Sequence, residues 1–479
     1  MQASGLLIIF LSYFALLLLI SYFIGRNSHS NTFYNGDRKS PWFAVAFGMI
    51  GATLSGVTFV SVPGEVGNSA FHYFQFILGN FAGYILIATL LLPYYYRKNI
   101  VSIYTVLNEK MGREGYLTTS GFFILSKIVG AAFRLYLAAL VIHLAIAEAL
   151  KLPFGLTVLF CLLIIWLYTY KSGIKMVVWS DTIQTVILLT AVVLSIVAIK
   201  NQTGLGTSLL INKVVSTVDT SIFDFNWRSG NNFFKQFIAG IFMTIALNGF
   251  DQDIVQKNLS CRNSSQARKN MLVFSLLFVV TVFIFLSLGA LLHYYAGLKS
   301  IAIPTQSDQL FPTIALNHLG KWVAALFVLG ISAAALSSAD SATTALTTAF
   351  SIDFLKIDRF PENRQQGIRN WIHLGFSLLL FAVIMAFYYL NNQSVVVGIF
   401  KAAGYTYGPI LGIFVFSFFN KRKPLLKMIF PIAFISPLLT WGCTIITSYL
   451  IENYQFGFEL IVINACFTYI LLTIFSKRY

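Results

Sequence analysis

Stretches of about twenty apolar residues recur from one end of the chain to the other, and that repetition leaves few folds open. A helix needs about 20 predominantly apolar residues to cross a hydrocarbon core roughly 30 Å thick. Hydrophobic residues fill 57% of the 479 positions and charged ones only 10%, against about 25% in ordinary soluble domains. With a mean hydropathy of +0.76, the bilayer is the solvent throughout.

Breaks rich in charge, Gly or Pro separate about thirteen candidate spans. They run over 5–25, 41–66, 72–96, 117–148, 154–170, 176–199, 233–251, 270–295, 319–351, 370–390, 395–419, 425–449 and 457–476. This predicts an all-α membrane protein with one transmembrane domain over 1–479. The run Leu6–Ile24 has spanning length and lacks the positive n-region of a secretory signal, so it reads as a retained first helix.

The net charge of +16 is a topology signal rather than a nucleic-acid footprint. Twenty-three Lys and Arg fall in one set of alternate loops, among them Arg26, Arg38, Lys171, Lys257, Arg369 and Arg478. The other set holds seven, and Lys127, Arg134 and Lys401 lie inside spans. The positive-inside rule then puts the N-terminus outside and the C-terminus in the cytoplasm, as an odd number of spans requires. Cys161, Cys261, Cys443 and Cys466 show no metal-ligand spacing, and neither a disulfide framework nor a structural metal is expected.

Two spans look interrupted. The second carries Gly48, Gly51, Gly56 and Pro63 within GMIGATLSGVTFVSVPG, and the seventh ends in ALNGFDQD, with Asn248 and Gly249 near membrane depth. Unwound backbone is tolerated in a bilayer only where it is buried in protein or lines a cavity. Small residues also serve plain helix contact, which is the competing reading. The two spans lie five apart, so the units they open have opposite topology, and interruptions at corresponding places in inverted halves point to a transporter site. Residues 41–199 and 233–419 would form a five-plus-five inverted repeat, with 5–25 added before it and 425–476 after it.

The ninth span reads GISAAALSSADSATTALTTAF and puts Ala334, Ser337, Ser338 and Ser341 on one helical face. Hydroxyls and backbone carbonyls are hard donors suited to an alkali-type cation, although such small residues also let helices approach. Asp340 adds a formal charge at membrane depth. Asp181, in VVWSDTIQ, is a second acid inside a span. An acid at a helix centre costs about 2.5–3.5 kcal/mol on insertion scales, so the default reading is functional, the alternative being an interfacial residue that caps the helix start. Arg134 sits near the middle of the fourth span. Its bidentate fork suits a carboxylate, either that of a solute or that of Asp181 or Asp340 in a structural ion pair.

These residues, taken in order, resemble the sodium/solute symporters, a family with the LeuT-type fold. The matching pieces are Phe33-Tyr34-Asn35-Gly36-Asp37-Arg38, GATLSGVTF from 51, IVSIYTVLNEKMG at 100–112 and VVWSDTIQ at 177–184. GFDQDIVQKNLSCRNSSQAR at 249–268, AAALSSADSA in the ninth span and AAGYTYGPILGIF at 402–414 complete the set, which covers nearly the whole chain. The resemblance implies a sodium site made by the carbonyls of Gly51, Leu54 and Ala334 and the hydroxyls of Ser337 and Ser338. It implies a second sodium site, found in some members, made by Asp181, Ser337, Asp340 and Ser341. Such members commonly carry Ser or Thr where Asp340 stands, which leaves the ion count open. It places the solute beside Ser55 and Thr58 of the broken span, with Tyr73 and Gln75 of the third. Arg134 falls where the similar bacterial sodium/sialic acid symporters bind a carboxylate, and Gln75 lies two residues off the simplest alignment.

The expected function is therefore sodium-coupled import of a small polar solute across a bacterial inner membrane by alternating access, with a monomer sufficient in this fold. A carboxylated sugar such as sialic acid is one solute class, and an uncharged sugar or polyol is the other. A membrane-embedded enzyme would want a catalytic cluster, and the six His have no HExxH-type spacing. A passive channel would want a repeated filter or charged rings, and neither is visible.

Overall fold

The computed structural model describes residues 3–25, 33–34, 36–143, 147, 150–170, 173–305, 307–390, 395–452, 454 and 456–477. Asn35 of the motif before the second span, and Arg26, Lys171 and Arg478 of the basic loops, lie outside the described residues. Among the described residues, seven helices are long and apolar enough to cross a bilayer, or nine when each of two bent pairs is taken as one span. Shorter apolar helices, Ile8–Phe23, Phe154–Thr169, Ala403–Phe419 and Leu460–Ile474, stand at the other sequence-predicted spans.

In chain order, α1 (Ala3–Gly25) precedes a bent pair, α2 (Trp42–Thr53) and α3 (Gly56–Ser69). Next come α4 (Tyr73–Lys98), α5 (Ile103–Ile142), α6 (Phe154–Thr169), α7 (Ile174–Thr203) and a short loop helix, α8 (Thr207–Thr217). The second bent pair is α9 (Phe233–Gly249) and α10 (Gln252–Leu259). After it follow α11 (Ser264–Leu298), α12 (Leu310–Asn317), α13 (Lys321–Phe354) and α14 (Glu362–Leu390). The chain finishes with α15 (Val395–Phe419), α16 (Leu426–Leu450) and α17 (Leu460–Ile474). The one sheet among the described residues pairs Lys423–Pro424 with Ser476–Lys477.

Both expected interruptions are bends, of 57° between α2 and α3 and 65° between α9 and α10. At the first, Leu54 N–H still donates to Ile50 O at 2.8 Å, while Ser55 N–H turns back to Thr53 O at 3.1 Å. Ser55 then caps α3, its Oγ accepting from Thr58 N–H at 3.4 Å. A continuing helix would have sent the Ser55 and Thr58 amides to the carbonyls of Gly51 and Leu54. At the second bend Asp251 caps α10, accepting from Asp253 N–H at 2.8 Å.

The glycines of α2 also serve close packing. A Cβ on Gly48 would stand 3.1 Å from Asp181 Cβ, and Gly51 N–H donates to Thr185 Oγ1 at 2.9 Å, so α2 lies directly on α7 at the level of Asp181. In the same way Gly79 of α4 meets Gly240 of α9, where a Cβ on Gly240 would run into Phe76 O. The enclosed centre is α13, packed against α7 and α5. On the periphery α1 lays Phe10, Tyr13, Phe14 and Leu17 over Val158, Cys161 and Ile165 of α6.

Three sequence expectations need correction. The seventh span does not end at 251: α10 continues it as a polar half-helix, every residue of which is buried. Lys257 and Arg369, counted as loop cations, are only 1% exposed. A hydropathy window rejects α10 for its polar residues, because it cannot see that protein rather than lipid surrounds them. The helix of the fourth span begins well before 117, since residues 103–116 coil on through a kink at Gly112 (φ 62°).

Candidate functional site

The α13 face that the sequence singled out is turned to α7. Ser337 Oγ donates to Asp181 Oδ1 at 2.5 Å, and Ser341 Oγ lies 3.5 Å from Asp181 Oδ2 and 3.3 Å from Asp340 Oδ1. Asp340 reaches the other way, its Oδ2 accepting from Tyr168 O–H at 2.7 Å and Ser180 O–H at 2.9 Å. Ser338 Oγ donates to Ala334 O, one turn back, at 3.2 Å. All of these residues are buried. The helices α6, α7 and α13 therefore converge on two carboxylates and four hydroxyl-bearing neighbours.

A cation is already present among them. Lys257 Nζ, carried by α10, lies 2.8 Å from Asp181 Oδ2, 2.7 Å from Ser341 Oγ and 3.4 Å from Asp253 Oδ1. Stripping an ion of water costs several kcal/mol, and only close pairing with hydrogen bonds offsets it. The charges then alternate onward: Lys127 Nζ on α5 lies 2.8 Å from Asp253 Oδ2 and 3.2 Å from Asp251 Oδ1. Tyr407 of α15 donates to Asp251 Oδ2 at 2.6 Å. One ionic ladder thus ties α7 and α13 to α10, α5 and α15.

Sequence reasoning missed Lys257, Asp251, Asp253, Tyr168, Ser180 and Tyr407, and gave Lys127 no role. A signal was there for part of it. Asp253 and Lys257 are spaced i, i+4, as ion pairs on a helix face are, and Lys127 sits inside a span, where a charge is functional by default.

Arg134 stands on the same face of α5 as Lys127, two turns further on. It is half-buried, its Nε is enclosed without a hydrogen-bond partner, and it makes no ion pair among the described residues. Asp181 and Asp340, the acids weighed as its structural partners, are engaged by Lys257 and by hydroxyls. Ser55 and Thr58 are brought together, their hydroxyl oxygens 3.3 Å apart at the α2–α3 bend, and Tyr73 is half-buried against Phe76. Gln75 does not join them. Its Nε2 donates to His72 O and Asn231 O and its Oε1 accepts from Asp224 N–H, so the amide is spent on holding the 218–232 loop.

The donor chemistry, a bent span beside a hydroxyl-rich helix, is that of an ion-coupled carrier. The family model of the sodium:solute symporter family matches residues 33–424. The chain belongs to that family. As a sodium:solute symporter it is a transporter embedded in a membrane and not an enzyme, and sodium is its coupling ion. Among its relatives is the sodium/sialic acid symporter NanT of Aliivibrio fischeri, 25% identical over 419 residues, covering 84% of this chain and 80% of that protein. Another is the sodium/sialic acid symporter SiaT of Proteus mirabilis, 23% identical over 422 residues, with 86% and 84% covered. A solved structure of a sodium-coupled sialic acid symporter in a substrate-bound outward-open state superimposes with a TM-score of 0.82 at 19% identity. That match covers 100% of this chain and 99% of the other, and it shows that the two share a fold.

Proposed function

We propose that this symporter carries a small carboxylated sugar of the sialic acid class, with Arg134 as the ligand of its carboxylate. The observation that carries the reading is a guanidinium inside a membrane helix, eight residues before the end of α5, with an enclosed, unpartnered Nε and no ion pair among the described residues. Arg stays charged at any accessible pH, so at that depth it needs water or an anionic solute, and its fork matches a carboxylate with two parallel hydrogen bonds. The two bacterial relatives named above are called sodium/sialic acid symporters, which supports the same class. Ser55, Thr58 and Tyr73 complete the pocket in this reading.

The coupling sodium is assigned to the carbonyls of Gly51, Leu54 and Ala334 with the hydroxyls of Ser337 and Ser338. Diversion of the Ser55 and Thr58 amides supports this assignment, because it frees the first two carbonyls for a hard cation. Bends five spans apart favour the five-plus-five inverted repeat; the thirteen apolar runs and the loop charges favour thirteen crossings with a cytoplasmic C-terminus, and the bacterial relatives favour a bacterial inner membrane. The test is uptake of labelled sialic acid into proteoliposomes under an inward sodium gradient. Accumulation with sodium and none with potassium is expected. Equal uptake in both salts removes the sodium assignment, and sodium-driven uptake of neutral sugars with none of sialic acid removes the solute.

A further inference from the structure

We propose that Lys257 is a built-in cation that occupies the Asp181 cluster, so that this symporter binds and moves one sodium per cycle rather than two. The proposal deepens the sodium-symporter reading above and rests on it. Asp181, Ser337 and Ser341 offer a carboxylate and two hydroxyls in a fully buried position, the donor set a hard monovalent cation takes. The Lys257 ammonium is such a cation, a compact point charge with three donors. It meets three oxygens from three different helices, Asp181 of α7 at 2.8 Å, Ser341 of α13 at 2.7 Å and Asp253 of its own α10 at 3.4 Å. It is 1% exposed, so its charge has no water to retreat to and stays where the acids are.

Two consequences follow from the geometry. A sodium ion entering the cluster would have to displace the ammonium, leaving Lys257 buried beside Asp253 alone, itself shared with Lys127. Lys257 is also carried by the second half of a bent span, so the cation at Asp181 is tethered to α10 and is never released into solution. Where a second sodium would enter and leave with each cycle, this chain keeps a permanent substitute. Ser337 then serves both neighbours: it donates to Asp181 and keeps its lone pairs for the transported ion.

The test counts sodium bound by the purified full-length protein, with sodium alone as the probe and potassium as the control. Wild type is expected to bind about one sodium, and Lys257→Met about two, with a sodium dependence that becomes cooperative. The double variant Asp181→Asn, Lys257→Met removes both charges together, which guards against misfolding from an unpaired buried acid. With the Asp181 charge gone the cluster no longer suits a second cation, and the double variant is expected to bind about one sodium. Two sodium ions in wild type, one in a folded Lys257→Met protein, or two in the double variant would each overturn the proposal. No saturable sodium binding by wild type would instead sink the sodium assignment on which it rests.

Discussion

Lys127 and Arg134 stand on one face of α5, two helical turns apart, and among the described residues only the first is tied down by an acid. Lys127 Nζ lies 2.8 Å from Asp253 and 3.2 Å from Asp251, whereas Arg134 has no ion pair among the described residues and an enclosed, unpartnered Nε. The same helix therefore carries a structural cation at one level and an available one at the next, and the two should respond differently to substitution.

For Arg134 the expected loss is in affinity. Arg134→Lys keeps the charge but cannot make two parallel hydrogen bonds to a carboxylate. Losing one charge-assisted bond removes about 1.5–3 kcal/mol, which weakens apparent affinity for the acid by roughly 10- to 150-fold. A carboxylate-free analogue should bind wild type about as poorly as the acid binds the variant. Titrating both solutes against both proteins checks this, and an unchanged acid-to-neutral ratio rules out Arg134 as the carboxylate ligand.

For Lys127 the expected loss is in stability. Lys127→Met takes the cation from between Asp251 and Asp253, and breaking a buried pair from one side costs about 3–5 kcal/mol. The melting temperature should fall by several degrees, and Lys127→Arg should recover much of it. A Lys127→Met protein that melts like wild type would show that the ladder from α5 to α10 contributes nothing to stability.

Ser338 tests the sodium ligands directly. Among the described contacts its Oγ donates to the carbonyl one turn back and not to Asp181, so Ser338→Ala removes the hydroxyl proposed to hold sodium without leaving a buried group unpaired. Concentrative uptake should vanish while folded yield and melting temperature stay near wild type. Sodium-driven uptake at the wild-type level by this variant would end the assignment.

Gly240 tests the contact between α4 and α9. A Cβ there would run into Phe76 O and come within 3.0 Å of Gly79 Cα, so Gly240→Ala should destabilise by about 1–3 kcal/mol through overpacking. Gly121 of α5 meets nothing within 4 Å, and Gly121→Ala should be neutral or slightly stabilising. Comparing the two melting curves separates steric clash from the general effect of a methyl group in a helix.

The sequence by itself determined the solvent, the helical class, the positions of both bends and the α13 stripe. Each of these rests on a property that survives in one dimension: spanning length, Gly and Pro placement, or helical periodicity. Asp181 and Ser337 could be suspected separately, because an acid or a hydroxyl stripe at membrane depth stands out against apolar neighbours. What only the tertiary structure decided is which charge answers which. Lys257 lies 76 residues from Asp181 in the chain yet 2.8 Å from it in space, and it sits on a half-helix too polar for any hydropathy window to place inside. Gln75 likewise looked available until its three hydrogen bonds to the chain were seen. Pairing of buried charges and amides depends on close approach between segments far apart in sequence. Periodicity gives the face a residue lies on, and only the packed fold gives the partner that it meets.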